Sequence, residues 1–426
     1  MIGSVAFGLF AFVALSIPVG IVLFLLGFGV DWLYSPFPLI RGLGQVIWSS
    51  SNSSTLIAIP FFVLLGEILV RGGVATRTYA ALDKWLGWLP GGLVHANIGT
   101  ATMFSATSGS SVATAATVAT VAMPQAERLG YDPRLFSGAI AAGGTLGILI
   151  PPSINLIVYG FLTETSIPRL FLAGLLPGLL MALVFVIVTA LICMARPALG
   201  GPRRSCPWSE RFASLVHLAP IVLLFAVVVG SIYAGWATPT ESAAVGVAMA
   251  IAIALPGGDV GPRMLQGALL GTVRVTGMIM LVVVAAYFLN FTLASAGLGR
   301  QLTELVTSYD LTPLGTLWLI VAVYVVLGFF VETLSLMVAT IPITVPIVVG
   351  LGFDPVWFGV LLIVLVEMAL ITPPVGLNLY VVQGARRSGH LGEVMIGALP
   401  YVLVMAAMVV ALIAFPGIAL YLPERL

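Results

Sequence analysis

Residues 144–155 read GTLGILIPPSIN, and residues 366–378 read VEMALITPPVGLN. Each stretch places two consecutive prolines inside an apolar segment. Two prolines remove two backbone donors and disfavour helix in the residue before them, so a helix that reaches Ile150 must break there and begin again near Ser153. The freed carbonyls can coordinate a cation, and the half-helix after the break presents the positive end of its dipole. Both stretches therefore predict a broken helix that can bind ions.

The composition is that of an integral membrane protein. Of the 426 residues, 60% are hydrophobic and 8% are charged, whereas soluble domains carry about 25% charged residues. Apolar runs long enough to span a membrane recur along the chain, so we expect an all-α, multi-pass fold. The net charge of +1 gives no reason to expect nucleic acid as a partner, and neither the two cysteines nor the three histidines show a metal-ligand spacing. The predicted plain spans lie near 3–29, 45–70, 170–194, 212–234, 240–256, 266–291 and 392–416.

Two further regions, 92–166 and 312–385, carry clusters of Gly, Ser, Thr and Pro and match each other in one ungapped register. A shift of 222 residues superimposes both Pro-Pro pairs and both loops of the form Gly-aromatic-Asp-Pro. Each region contains an apolar arm, a small polar tip, a returning arm, a short loop and a broken helix. We interpret each as a re-entrant helical hairpin followed by a Pro-Pro broken helix. The matched pairs are Pro124 with Pro346, Gly130 with Gly352, Asp132 with Asp354, Pro133 with Pro355, Phe136 with Phe358, and 151–152 with 373–374.

The two matching loops differ in charge. The loop at 127–134 contains Arg128 and Arg134, whereas Asp354 is the only charged residue of the loop at 350–356. By the positive-inside rule, the first loop is cytoplasmic and the second is external. The two halves then have opposite orientations, which is the inverted-repeat arrangement of secondary transporters. An amphipathic stretch before each hairpin, at 74–88 and 298–309, is predicted to lie along the membrane surface.

The tip of the first hairpin, FSATSGSS at 104–111, places five hydroxyl groups around one glycine. Hydroxyl and backbone oxygens suit a hard cation such as Na⁺, because they replace its hydration shell without a buried carboxylate. The alternative is that these small residues only allow close helix packing. The predicted first Na⁺ half-site comprises Thr107, Ser108, Gly109, Ser110, Ile150, Pro151 and Asn155.

The second repeat predicts a second, unequal Na⁺ half-site. Its hairpin tip contains Glu332 at the position of Ser110, and an ionisable residue at membrane depth is a candidate for function. Glu332 is open to three interpretations: an ion ligand, a proton carrier, or a carboxylate that faces water. The predicted second half-site comprises Gly328, Glu332, Thr333, Thr372, Pro373 and Asn378, and the predicted substrate residues are Ser111, Pro152, Ser153, Pro374, Val375 and Gly376.

Two other carboxylates lie in apolar runs. Glu67 precedes Arg71 by one helical turn, so we interpret the two as an intrahelical ion pair. Glu367 lies five residues before Thr372, and we interpret it as a residue that stabilises the broken helix.

Several segments in combination resemble the large membrane (permease) subunit of tripartite ATP-independent periplasmic (TRAP) transporters, within the ion transporter superfamily. The resemblance covers nearly the whole chain. The segments that carry it lie at 57–62, 66–67, 108–111, 130–133, 144–154, 172–180, 239–241, 353–359 and 371–381.

The resemblance implies an elevator-type protein of the bacterial inner membrane, with a scaffold and a moving transport unit. It also implies Na⁺ gradients as the energy source and two partners: a small four-helix membrane subunit, expected as a separate polypeptide, and a soluble periplasmic substrate-binding protein. The expected division is scaffold helices and a first amphipathic arm at 1–91, the first hairpin and broken helix at 92–169, scaffold helices at 170–297, a second arm at 298–311, the second hairpin and broken helix at 312–391, and a C-terminal scaffold helix at 392–426.

The sequence thus predicts the permease subunit of a Na⁺-coupled importer of a small organic anion, such as a C4-dicarboxylate or a sugar acid. No cofactor other than the coupling ion is expected. One alternative is an ion-coupled carrier of the same architecture that works alone, and another is a channel, which would normally repeat its filter around a symmetric pore. An intramembrane serine hydrolase would need a positioned base, and His95 is the only histidine near a tip region. We therefore expect a transporter rather than an enzyme.

Overall fold

The computed structural model describes residues 1–15, 17–35, 37–202, 205–257, 260–298, 301, 312–386 and 389–425, without the side chains of residues 2, 6, 10, 13, 14 and 105–108. Throughout this part of the chain the regular secondary structure is helical, as the composition predicts. The first ten α-helices are α1 (Ile2–Ala14), α2 (Val19–Tyr34), α3 (Leu43–Ser51), α4 (Ala58–Arg71), α5 (Val74–Leu86), α6 (Leu93–Ser108), α7 (Ser111–Leu129), α8 (Pro133–Leu149), α9 (Ile154–Thr163) and α10 (Ile167–Ala195). The next nine are α11 (Trp208–Tyr233), α12 (Pro239–Ala254), α13 (Pro262–Ser295), α14 (Pro313–Gly328), α15 (Thr333–Gly350), α16 (Pro355–Ala369), α17 (Leu377–Ala385), α18 (Leu391–Ala414) and α19 (Gly417–Leu420).

Six of the described helices are long and apolar enough to cross a membrane. Two bent helix pairs, each a broken span or a re-entrant loop by its length and composition, are α4 with α5, at 67°, and α8 with α9, at 40°. The second bend lies at Pro151–Pro152, where the sequence predicts a broken helix. In the other repeat, α16 ends at Ala369 and α17 begins at Leu377, on either side of Pro373–Pro374.

The two Asp-Pro loops fix where the broken helices begin. Oδ1 of Asp132 accepts hydrogen bonds from the backbone N–H groups of Arg134 and Leu135, at 2.9 and 3.0 Å. Oδ1 of Asp354 accepts from Val356 and Trp357 in the same way, at 2.6 and 3.0 Å. Each aspartate caps a helix whose first residue is proline, and proline suits that position because its missing donor would be unpaired there.

One group of helices contains α2, α3, α4, α11, α12 and α13, with α13 packed on α2, α3 and α4, and α12 packed on α4 and α11. Nε of Arg71 lies 2.7 Å from Oε2 of Glu67, which confirms the predicted ion pair. The pair packs against Gly267 and Gly271, one turn apart on α13. These glycines let two polar side chains lie between closely packed helices, as small residues do in membrane proteins.

The second group is built around α8 and α16, both almost entirely buried. The two hairpins, α6–α7 and α14–α15, pack on them. The helices α10 and α18 also pack mainly here, against α8, α16 and each other, although the sequence-based division places 170–297 and 392–426 with the scaffold. Glycines account for this packing: Gly397 of α18 contacts the backbone of α8 at Arg134, and Gly174 of α10 contacts the carbonyl of Leu149.

The amphipathic arm α5 lies between the two groups, in contact with α11 on one side and with α6 and α7 on the other. Its predicted counterpart at 298–311 falls mostly on residues 299, 300 and 302–311, outside the described part of the chain.

Candidate ion and substrate site

The tip of the first hairpin is an unwound corner between α6 and α7. Gly109 has φ +57°, which glycine adopts without strain, and it is followed by Ser110 in an extended conformation. Oγ of Ser110 caps α7 by accepting a hydrogen bond from the backbone N–H of Ala113 at 3.4 Å. The side chains of Thr107 and Ser108, predicted ion ligands, lie outside the described part of the structure.

This tip packs directly against the first Pro-Pro break. A methyl group on Gly109 would lie 3.0 Å from Cγ1 of Ile154, the first residue of α9. On the other side of the break, a methyl group on Gly147 would lie 3.1 Å from Oγ1 of Thr114 and 3.3 Å from the carbonyl oxygen of Ser110. The structure therefore brings together the tip and the break that the sequence assigned to one half-site.

The first break, at 150–153, is buried. Oγ of Ser153 caps α9 by accepting from the N–H of Leu156 at 3.3 Å, so α9 begins inside the protein with its positive end at the break. Asn155 is 4% exposed, and its Nδ2 has no hydrogen-bond partner among the described residues. Burial of an unpaired amide NH2 group is costly, and this donor suits an acceptor such as a carboxylate, whereas a cation would have to bind Oδ1.

The second hairpin has a different tip. Glu332 is exposed and caps α15, with Oε2 accepting from the N–H of Ser335 at 3.0 Å. This exposure agrees with a carboxylate that faces water. That Glu332 binds an ion remains a prediction. Thr333 is 2% exposed, and its Oγ1 is unpaired within the described structure. Gly328 packs against Ala369 at the end of α16, so this tip also lies beside a break.

The second break, at 370–376, is more open than the first, with Pro374 exposed and Val375 half-buried. Its ends are joined by a hydrogen bond of 3.1 Å from the N–H of Asn378 to the carbonyl oxygen of Leu370. Gly376, at φ +53°, allows this return of the chain. Thr372 donates to the carbonyl oxygen of Met368 at 2.6 Å, so its hydroxyl hydrogen is already used.

The two repeats are connected through their sites. Nδ2 of Asn378 donates to the carbonyl oxygen of Ala141 on α8, at 3.3 Å. Ser111, predicted to contact substrate, is 1% exposed and donates from Oγ to Oε2 of Glu367 on α16. The sequence interpretation gave Glu367 only a stabilising role and missed this contact, although an ionisable residue at membrane depth was the signal that could have found it.

The atoms at these positions that could coordinate a cation are hydroxyl, amide, carbonyl and carboxylate oxygens. Within the described residues there is no group of three or more His, Cys, Asp or Glu that could hold a metal ion in the manner of a transition-metal site. Oxygen ligands suit hard cations, and the helix ends at the breaks suit a small anion.

Comparison with known proteins agrees with this architecture. The family described as "Tripartite ATP-independent periplasmic transporter, DctM component" matches residues 6–418. The chain is 35% identical over 395 residues to the C4-dicarboxylate TRAP transporter large permease protein DctM of Pseudomonas aeruginosa, covering 92% of each chain. It is 32% identical over 435 residues to the sialic acid TRAP transporter large permease protein SiaM of Vibrio cholerae, covering 100% of this chain and 98% of the relative. It is also 29% identical over 408 residues to the 2,3-diketo-L-gulonate TRAP transporter large permease protein YiaN of Escherichia coli, covering 95% of each.

Solved structures share the fold at low sequence identity. The YdaH transporter of Alcanivorax borkumensis superimposes with a TM-score of 0.65 at 13% identity, covering 89% of this chain and 88% of its own. MtrF of Neisseria gonorrhoeae superimposes with a TM-score of 0.56 at 13% identity, covering 95% of both chains. The relatives are transporter permeases rather than enzymes, which removes the serine hydrolase alternative. The chain belongs to the DctM family of large permease components of tripartite ATP-independent periplasmic transporters, and it is a multi-pass protein of the inner membrane.

Proposed function

We propose that this chain is the permease subunit of a Na⁺-coupled importer of a small organic anion, such as a C4-dicarboxylate or a sugar acid. The anion would be delivered by a periplasmic binding protein, and a small four-helix membrane subunit would complete the membrane part. The names of the relatives support the substrate class, since they specify a C4-dicarboxylate, sialic acid and a diketogulonate, all carboxylates.

The observation that carries the proposal is the contact of each hairpin tip with a Pro-Pro break. Gly109 lies against Ile154 in the first half, and Gly328 lies against Ala369 in the second. Tips and breaks are where backbone carbonyls lack helical partners, so each contact gathers oxygens that can bind Na⁺ inside the protein. The similarity of the two arrangements favours a pair of related half-sites.

The substrate would lie at the N-terminal ends of the two restarted helices, α9 and α17. The backbone at Pro152 and Ser153 precedes α9, and the backbone at 374–376 precedes α17, so each segment is close to the positive end of a half-helix. A carboxylate placed there gains from the dipole and from free N–H groups. The second segment is the more accessible of the two, which suits a substrate that must enter and leave.

The packing supports movement of one block against another. The block would comprise both hairpins, both broken helices, and also α10 and α18, because these two helices pack on α8. Its main contacts with the remaining helices are those of α5 with α6 and α7, of α4 with α6, and of α13 with α15. A cavity of about 590 Å³ separates the groups, lined by residues of α3, α9, α13 and α15. Sliding at this boundary would expose the site alternately to the two sides of the membrane.

The test is uptake into proteoliposomes that contain both membrane subunits. With the cognate binding protein and a labelled organic acid outside, we expect saturable uptake that requires an inward Na⁺ gradient. Full uptake driven by a proton gradient alone would refute Na⁺ coupling. Equally rapid uptake without the binding protein would identify a carrier that works alone.

A further inference from the structure

Glu367 is a fully buried carboxylate at the centre of the proposed moving block. Its exposure is 0%, and the hydroxyl of Ser111 is its hydrogen-bond partner in the described structure. Oε1 of the same carboxylate has no partner there, and none of the ion pairs formed by described residues involves Glu367. An ionised carboxylate without a counter-charge in such a place costs several kcal/mol or more. Either a bound proton or a cation beside it must therefore neutralise this carboxylate.

Asn378 carries a second buried oxygen without a partner in the described structure. The residue is fully buried, and donation from its Nδ2 to the carbonyl oxygen of Ala141 fixes which way the amide points. Oδ1 then faces away from that carbonyl, without a hydrogen-bond partner in the described part of the chain. An amide oxygen and a carboxylate oxygen are both acceptors, so neither can satisfy the other.

These residues lie near one another where α7, α8, α16 and α17 pack together. A methyl group on Gly144 of α8 would lie 3.0 Å from the carbonyl oxygen of Ser111 and 3.2 Å from Nδ2 of Asn378. Ser111 and Asn378 are therefore neighbours across this glycine, and Glu367 is hydrogen-bonded to Ser111. The three residues come from the first hairpin and from both parts of the second broken helix.

We propose that Glu367, Asn378 and Ser111 form a further Na⁺ site that joins the two repeats. This inference rests on the proposed Na⁺ coupling. It reassigns Asn378 from the predicted second half-site to the new site, and the second half-site then consists of the oxygens of its hairpin tip and of its break. A sodium ion bonded to Oε1 of Glu367 and Oδ1 of Asn378 would satisfy both unpaired oxygens and neutralise the carboxylate. The oxygen of Ser111 would complete the protein ligands.

The experiment compares Glu367→Gln with wild type in the reconstituted transporter, with radioactive Na⁺ and labelled organic acid counted together. The glutamine keeps the size of the side chain and removes its charge. We expect one Na⁺ fewer per transported anion, and a rise of roughly tenfold in the Na⁺ concentration for half-maximal uptake. Glu67→Gln is the matched control, because Glu67 is also a carboxylate in a membrane helix but is paired with Arg71. We expect it to leave the Na⁺ count unchanged.

Glu367→Asp keeps the proposal testable if the glutamine variant does not fold, because it retains the charge on a shorter side chain. We expect the full Na⁺ count with weaker Na⁺ affinity. An unchanged count in Glu367→Gln, or a lost Na⁺ in Glu367→Asp as well, would overturn the site while leaving Na⁺-coupled transport intact. Loss of a pH dependence in Glu367→Gln at an unchanged Na⁺ count would overturn it in favour of a proton carrier. Uptake by wild type that ignores Na⁺ would overturn both the site and the proposed function.

Discussion

Two glycines at the ends of α7, Gly109 and Gly130, share one backbone requirement but have different surroundings. Their φ angles are +57° and +69°, a region that costs an L-residue about 1–2 kcal/mol. Alanine at either position therefore incurs a similar backbone penalty. A methyl group on Gly130 would meet nothing within 4 Å, whereas one on Gly109 would lie 3.0 and 3.1 Å from Cγ1 and Cδ1 of Ile154. The substitution Gly109→Ala thus adds crowding between the tip and the first break, and Gly130→Ala does not.

The size of the added effect follows from the contact. Carbon atoms pack comfortably at about 3.5–4.0 Å, so Ile154 or the tip must move by several tenths of an ångström. Overpacking of this kind typically costs about 1–3 kcal/mol. If the first half-site binds Na⁺ between tip and break, most of that cost falls on the ion-bound geometry. We expect Gly109→Ala to raise the Na⁺ concentration for half-maximal uptake by about tenfold, which corresponds to about 1.4 kcal/mol.

Both variants would be measured for thermal stability and for Na⁺-dependent uptake in proteoliposomes. We expect Gly130→Ala to melt at a lower temperature than wild type with an unchanged Na⁺ requirement. We expect Gly109→Ala to change both. An equal Na⁺ requirement in the two variants would refute the assignment of the tip to an ion site, because the backbone penalty alone would then explain the results.

Two other predictions follow from the same geometry. Asn155→Ala removes a buried amide beside the break, and we expect a loss of about 1–3 kcal/mol in Na⁺ binding, seen as a higher Na⁺ requirement for uptake with normal membrane insertion. A bifunctional maleimide that joins Asn290→Cys on α13 to Val345→Cys on α15, across the cavity they both line, is expected to stop uptake. The same reagent between Val188→Cys on α10 and Leu403→Cys on α18, which line one groove within the proposed block, is expected to leave uptake intact. Inhibition by both cross-links would contradict our placement of α10 and α18.

The sequence predicted well those elements that are determined by the chemistry of a few neighbouring residues. Pro151–Pro152 predicts the break between α8 and α9 because two prolines remove backbone donors and disfavour helix before them. The Gly-aromatic-Asp-Pro loop predicts that the first broken helix begins after it, and the structure shows that Asp132 caps the start of α8. The ion pair of Glu67 with Arg71 follows from their spacing of one turn. Each of these signals depends on a few neighbouring residues, so tertiary packing does not alter it.

The features that the sequence did not predict depend on which apolar helix lies against which. Hydropathy indicates that 167–195 and 391–414 form membrane helices. It does not indicate which helix each of them packs against, because lipid-exposed and buried helices are similarly apolar. Their place beside α8 depends on glycines such as Gly174 and Gly397, where backbones meet, and a glycine in an apolar run does not reveal its partner. The bond from Ser111 to Glu367 crosses 256 residues of sequence, so no local pattern indicates it.

Contacts between the hairpin of one repeat and the broken helix of the other affect how the protein can move. Helix α7 of the first hairpin packs on α8 of its own repeat and on α17 of the other, while α15 of the second hairpin packs on α16 and on α9. Each hairpin therefore rests on the broken helices of both repeats. A hinge within one half would separate Ser111 from Glu367, leaving a buried carboxylate without its hydrogen-bond partner at a cost of about 1–3 kcal/mol or more. Movement of the whole block against α4, α5 and α13 would keep those contacts, which supports the proposal that the block moves as one rigid unit.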